Sequence, residues 1–165
     1  MSFDSIQVGR SLHEEQSILN GFYGALITAV IINIIWVYFS MFFDRFFPWI
    51  GIIQGILIGK SVRKYGFGLD WYLPFLAAIF AIIASFTGSF LSALNLTGRE
   101  FNTGAMALIN EISLHTIRTF TINEFAIVGW VYAIFAAALA AYYAKRQLSR
   151  DQAIAFRKYR ESIQS

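Results

Sequence analysis

The chain has 165 residues, of which 57% are apolar, 18% aromatic and only 14% charged, and its mean hydropathy is +0.56. In soluble domains about a quarter of the residues are charged, so this composition excludes an ordinary soluble protein and predicts an integral membrane protein. The absence of cysteine excludes disulfides, thiolate metal sites and cysteine nucleophiles. The net charge of +3 arises from basic residues beside apolar segments, which favours orientation in a membrane over nucleic-acid binding.

The N-terminal part of the chain predicts a short helix followed by a first membrane span. Ser11 and Glu14 have the spacing of a capping box, so we expect a helix to begin near Leu12. Residues 21–43 form an apolar stretch of about 34 Å as a helix, enough to cross a hydrocarbon core of about 30 Å. Asn33 lies near its middle, where an amide needs a hydrogen-bond partner on a neighbouring helix.

Residues 46–62 carry glycine at every fourth position, at Gly51, Gly55 and Gly59. On a helix these glycines share one face, which lets another helix approach until the backbones are nearly in contact. The apolar part is short, about 21 Å as a helix, so it crosses a membrane only with little tilt. A re-entrant hairpin is the alternative. Gln54 lies on this segment, and we expect it to bond to Asn33.

The next two segments are a basic loop and a third span over residues 71–94. The loop carries Lys60, Arg63 and Lys64, which by the positive-inside tendency predicts a cytoplasmic position. The third span repeats small residues at intervals of four, including Ala77, Ala81 and Ser85. Close helix packing is the expected role of this face, and a polar path along its serines is the alternative.

The remaining chain predicts an amphipathic interfacial helix over residues 104–118, a fourth span over 125–144 and a basic cytoplasmic tail over 145–165. Glu111 and His115 are one helical turn apart, but a single pair does not complete a metal site. A capping-box sequence at 121–124 is expected to start the last span. That span has a third small-residue face, and the tail begins with two cations; these residues are Gly129, Ala133, Ala137, Lys145 and Arg146.

The predicted fold is therefore an all-α integral membrane protein: a bundle of four transmembrane helices with an interfacial helix between the last two. The basic loop and the basic tail must lie on the same side, because the chain leaves and returns between them. Four spans also put the N-terminus in the cytoplasm, whereas a re-entrant second segment puts it outside. We expect a bacterial inner (plasma) membrane location.

No ionisable side chain lies deep in a predicted span, so the sequence predicts neither an enzyme nor a bound cofactor or metal. The favoured hypothesis is a small accessory or assembly subunit that packs, through its small-residue faces, on a larger membrane complex or on itself. The alternative is a carrier or channel for a neutral or lipidic substrate, with Asn33 and Gln54 lining the path. Anionic lipid headgroups are a further expected partner, recognised by the basic residues Lys60, Arg63, Lys64, Lys145 and Arg146.

Overall fold

The structure is a computed structural model that describes residues 2–100 and 112–164, with side chains described for 5–100 and 112–163. Within these residues the chain is helical with short connections and contains no strand. The helices are α1 (Ser2–Glu14), α2 (Ile18–Phe43), α3 (Ile50–Gly66), α4 (Tyr72–Glu100), α5 (Leu114–Thr119), a π-helical segment (Phe120–Phe125), α6 (Ala126–Ala144) and α7 (Arg150–Gln164). The all-helical class predicted from the sequence is confirmed.

Three helical stretches in the described part of the chain are long and apolar enough to cross a membrane. They are α2, α4 and the continuous run Leu114–Ala144, which combines α5, the π-helical segment and α6. Their outer faces expose many large apolar side chains, including Ile127, which is 81% exposed. In water such a surface would be unstable, so the bundle is that of a membrane protein. Helix α3, with 17 residues, does not meet the same criteria.

Helix α3 runs antiparallel to α2 along most of its length. Near one end, the Ser61 hydroxyl donates a hydrogen bond to the Gly24 carbonyl at 2.9 Å. Near the other end, Gly51 lies against the Trp36 ring. Helix α3 has no internal turn, so the re-entrant hairpin considered for residues 46–62 is not observed within it.

Helices α4 and α6 complete the bundle. Helix α4 is parallel to α2: the Phe22 and Phe80 rings are 5.1 Å apart between centroids near one end, and Arg99 donates to the Met41 carbonyl at 2.8 Å near the other. Helix α6 is parallel to α3 and packs on both α3 and α4. The core between these helices consists largely of alanines with a few larger side chains, among them Ile58.

Helices α1 and α7 pack on each other outside the bundle, at the end where α2 begins and α6 ends. Gly9 on α1 allows this contact, because an added Cβ atom would lie 2.6 Å from the Tyr159 Cβ atom. We call the pair α1 and α7 the terminal cap. The basic tail predicted from the sequence is therefore mainly a helix that is paired with the N-terminal helix.

Two of the predicted helix starts are wrong. Helix α1 is already helical at Ser2, and Ser11 lies inside it with its hydroxyl bonded back to the Val8 carbonyl. Ser17 caps the next helix instead, by accepting a hydrogen bond from the Asn20 amide. At the other end of the chain, Thr121 lies inside the π-helical segment, and its hydroxyl donates to a carbonyl four residues earlier. In both cases a side-chain hydroxyl that was expected to cap the start of a helix instead donates to a backbone carbonyl inside a helix.

Other boundaries also differ from the prediction. Helix α3 covers Ile50–Gly66, so it begins and ends four residues later than the predicted segment 46–62. Helix α4 continues to Glu100, six residues beyond the predicted end of the third span. Most of the interfacial helix predicted over 104–118 lies outside the described residues. Its last residues belong to α5, whose N-cap is Ser113, paired reciprocally with Thr116.

Candidate functional site

A chain of hydrogen bonds connects α2, α3 and α4 in the middle of the bundle. The Gln54 side-chain amide donates to Asn33 Oδ1 at 2.7 Å, and Asn33 Nδ2 donates to Thr87 Oγ1 at 2.9 Å. Thr87 Oγ1 in turn donates to the Ile83 carbonyl at 2.9 Å. The bond between Gln54 and Asn33 that was expected from the sequence is present. Such bonds contribute about 0.6 to 2 kcal/mol each in membrane bundles, so this chain holds three helices in a fixed register.

Beside this chain the core holds polar atoms that the protein does not satisfy. Five buried side-chain atoms in the described residues have no hydrogen-bond partner: Trp36 Nε1, Ser40 Oγ, Gln54 Oε1, Ser85 Oγ and Ser92 Oγ. Two glycines border the same region, since an added Cβ atom at Gly88 would lie 2.7 Å from the Trp36 ring, and one at Gly51 would lie 3.0 Å from Ser85 Oγ. A buried polar group without a partner costs about 1 to 3 kcal/mol. These five atoms are hydrogen-bonding groups that no protein atom in the described residues satisfies.

The small-residue faces predicted from the sequence lie inside the chain's own bundle. The residues named for them are all buried: Gly51, Gly55, Gly59, Ala77, Ala81, Ser85, Gly129, Ala133 and Ala137. Gly55 and Gly59 face α6, where added Cβ atoms would collide with the backbone of Ala136 and Ala140. Gly129 differs, because its open side is filled by the Phe125 ring of the π-helical segment. These faces are occupied internally and are not free to dock on another protein.

The five predicted headgroup-binding cations separate into different environments. Arg146 is less exposed than Lys60 and Lys64. Its guanidinium group forms an ion pair with Glu15 at 2.7 Å and lies over the Phe67 ring. Its backbone amide also donates to the Gly68 carbonyl at 2.8 Å. Arg146 therefore joins the end of α6 to α1 and to the loop after α3, and its charge is already compensated.

Lys60 and Lys64 are exposed, one helical turn apart on α3. The Lys60 ammonium lies 5.6 Å from the centre of the Tyr143 ring, and the Lys64 ammonium lies 5.4 Å from that of Tyr65. Arg63, between them in sequence, is half-buried, and Lys145 is exposed on the segment after α6. The structure thus brings all five cations to one end of the bundle but leaves Lys60 and Lys64 without compensation by a carboxylate in the described residues.

An acidic centre at the same end was not identified from the sequence. The Asp70 carboxylate, 11% exposed, accepts hydrogen bonds from Gln16 and Tyr72 and lies 3.5 Å from the His13 ring and 3.8 Å from Arg160. It therefore ties the terminal cap to the loop that precedes α4. The only signal in the sequence was an aspartate just before a helix, where the macrodipole favours negative charge.

A cavity of about 690 Å³ opens at the opposite end of the bundle. Its walls combine aromatic rings, including Phe90 and Phe120, with the exposed polar residues Glu100, His115 and Glu124. His115 is one member of the Glu111 and His115 pair noted in the sequence, and Glu111 lies outside the described residues. The described residues hold no cluster of three or more potential metal ligands there or elsewhere.

Comparisons of the chain with protein-family models, with curated proteins and with solved structures find no significant match.

Proposed function

We propose that all four bundle helices cross the membrane, including α3. The support is the direction of the helices. Because α2 and α4 are parallel, a chain that crosses the membrane along both must cross back between them, along α3. The turn before α3 extends its apolar length, because Phe47 packs on Phe39 and Phe43 near the end of α2. Four crossings put both termini on one side, which agrees with the pairing of α1 with α7.

The cationic end of the bundle is proposed to be cytoplasmic. Lys60, Arg63, Lys64, Lys145 and Arg146 lie there, and positive charge near span ends favours retention on the cytoplasmic side. The bacterial inner membrane is the location we propose, since this charge rule governs orientation there.

We propose further that the protein is a non-catalytic accessory subunit, which binds a protein partner through the terminal cap. The small-residue faces meet inside the chain, so a partner would bind another surface. The observation that carries this proposal is the exposed, charged outer face of α7. The outer face of α7 carries the exposed cations Arg150, Arg157 and Lys158 around exposed Ile154, together with the exposed carboxylates Asp151 and Glu161. Such a face, with a small excess of positive charge, suits a partner whose surface carries the complementary charges.

The partner proposal is tested by site-specific photo-crosslinking in cells. A crosslinking residue at Ile154 is expected to give one discrete adduct, and charge reversal of Arg157 and Lys158 to glutamate is expected to abolish it. The same residue at Ile127 is the control, because that position is 81% exposed on the outer face of the bundle and should contact lipid. An adduct of twice the chain's mass would identify a second copy as the partner. An adduct at Ile127 alone would contradict docking through the cap.

The topology is tested with single cysteines, for which the chain is suited because it contains none. Cysteine at Ser149, after α6, and at Asp44, after α2, should react with an impermeant maleimide from opposite sides of the membrane. Cysteine at Lys64 should react from the same side as Ser149. Labelling of the positions at Asp44 and Lys64 from one side would contradict a crossing by α3.

The unsatisfied polar atoms of the core favour a second candidate function, a small carrier or channel for a neutral or lipidic substrate. Trp36, Gln54 and Ser85 supply hydrogen-bonding capacity that the protein does not use. Proteoliposomes would be assayed for glycerol flux and for translocation of a fluorescent phospholipid. Loss of flux in Asn33→Leu and Gln54→Leu variants that still assemble would support this function, whereas absence of flux in the wild type would exclude it for these substrates.

A further inference from the structure

A groove of about 560 Å³ lies between α2 and α3 on the outer face of the bundle, near its cationic end. Gly24 forms part of its floor, beside Ser61, whose hydroxyl is already bonded to the Gly24 carbonyl. An added Cβ atom at Gly24 would lie 2.9 Å from the Tyr65 ring, so a larger residue there would fill the groove. The floor is therefore formed by the Gly24 backbone and by a Ser61 hydroxyl whose proton is already donated.

The two ends of the groove differ in chemistry. Lys60 and Lys64 stand at one end, together with the exposed rings of Tyr23 and Tyr65. The walls towards the middle of the bundle are apolar and include Ile27, which is 58% exposed. This is the polarity of a membrane interface above a hydrocarbon region, where lysine and tyrosine favour headgroup depth.

The two lysines at the mouth of the groove contact the aromatic rings of Tyr143 and Tyr65 but are not paired with a carboxylate in the described residues. Within the described residues no acidic side chain lines the groove, and neither lysine forms an ion pair. The other cations that make contacts at this end do have acidic partners: Arg146 pairs with Glu15 and Arg160 with Asp70. Like charges one helical turn apart repel each other, so an anion between Lys60 and Lys64 stabilises the helix.

We infer that this groove binds an anionic phospholipid of the bilayer, whose phosphate lies between the Lys60 and Lys64 ammonium groups. One acyl chain lies along Ile27 and Ile31 on α2. The inference uses the membrane orientation of α2 and α3 and is independent of the proposed protein partner, because the groove and the outer face of α7 share no residue. It also assigns the headgroup role to two of the five predicted cations and not to Arg146.

Native mass spectrometry of the detergent-solubilised protein, titrated with phosphatidylglycerol or phosphatidylcholine, tests this site. The wild type is expected to bind phosphatidylglycerol more tightly. A Lys60→Gln and Lys64→Gln double variant should lose about 30-fold in affinity for phosphatidylglycerol, because each lysine near a headgroup contributes about fivefold. The matched control removes two exposed cations from the opposite end, in Arg45→Gln with Arg118→Gln, and should keep the wild-type affinity.

Two further variants separate the charge from the groove. Lys60→Arg with Lys64→Arg keeps the charge and should retain binding. Thr28→Trp keeps both lysines but fills the groove, in which Thr28 lies, and should weaken binding as the glutamine variant does. Equal binding of both lipids, an equal loss in the Arg45 and Arg118 control, or unchanged binding in the glutamine variant would overturn the inference. Displacement of the lipid by excess soluble glycerol phosphate would show a free-phosphate site instead, and would also overturn it.

Discussion

Replacement of Gly55 by alanine tests a place where two helix backbones meet. A Cβ atom at Gly55 would lie 2.8 Å from the Ala136 Cα atom, whereas ordinary contacts are 3.4–4 Å. The Ala136 carbonyl oxygen would be closer still, so helices α3 and α6 would have to separate by at least about 0.6 Å, the difference between 2.8 and 3.4 Å. The obstacle is backbone, which has no alternative rotamer, so the whole helix must move rather than one side chain.

The expected cost follows from two opposing effects. A gap of about 0.5 to 1 Å removes a quarter to a half of the dispersion energy of each contact across it, and overpacking costs about 1 to 3 kcal/mol in well-packed interiors. Alanine recovers up to about 1 kcal/mol because it is the better helix former. We expect Gly55→Ala to lower the free energy of unfolding by about 1 to 2 kcal/mol.

Gly51→Ala is the matched control in the same helix. Its nearest obstacle is the Ser85 hydroxyl at 3.0 Å, a side-chain atom that rotates without breaking a hydrogen bond because it makes none. This variant should be within about 0.5 kcal/mol of the wild type, or slightly more stable. Unfolding would be measured in mixed micelles with increasing dodecyl sulfate, followed by circular dichroism. If Gly55→Ala proves as stable as Gly51→Ala, the close approach of α3 and α6 is wrong.

Three further substitutions should change the free energy of unfolding in a defined direction. Asp44→Gly should stabilise the protein by up to about 1 kcal/mol, because Asp44 caps α2 at φ 51°, a conformation that glycine adopts without strain; the same unfolding titration measures it. Asn33→Leu should destabilise the protein by about 1 to 2 kcal/mol, since it removes the hydrogen bonds of Asn33 to Gln54 and to Thr87. A double-mutant cycle with Thr87→Val should show that the two substitutions are coupled. Glu15→Gln should lower the free energy of unfolding by less than about 1 kcal/mol, because it removes a partly exposed ion pair with Arg146. In 1 M salt, which screens this pair, thermal unfolding should show no difference between the variant and the wild type.

The sequence predicts the helical class and the long apolar helices well, because both depend on the length and composition of continuous segments. The bond between Asn33 and Gln54 was also predictable, since an amide in an apolar helix has few alternative partners. The identity of the helix that faces Gly55 was not predictable. Intervals of four identify a smooth face but contain no information on which neighbour fills it.

Helix termini were the least predictable local feature. Ser11 and Thr121 stand at capping-box spacing, yet each donates its hydroxyl to a carbonyl within a helix. A short motif gives the same signal in both settings, and tertiary contacts decide between them. The centre at Asp70 was missed for a related reason. Its partners His13 and Arg160 come from opposite ends of the chain, and only the pairing of α1 with α7 brings them together.

The hydrogen bonds that connect Gln54, Asn33 and Thr87 have a consequence for biosynthesis. Asn33 donates to Thr87, which follows it by 54 residues, so this acceptor does not yet exist when α2 and α3 have been synthesised. Until α4 is inserted, Asn33 can accept from Gln54 on α3, but its Nδ2 group lacks the Thr87 acceptor, which lipid cannot replace. A nascent chain interrupted before Thr87 would therefore leave a polar N–H group without its acceptor inside the apolar helix α2.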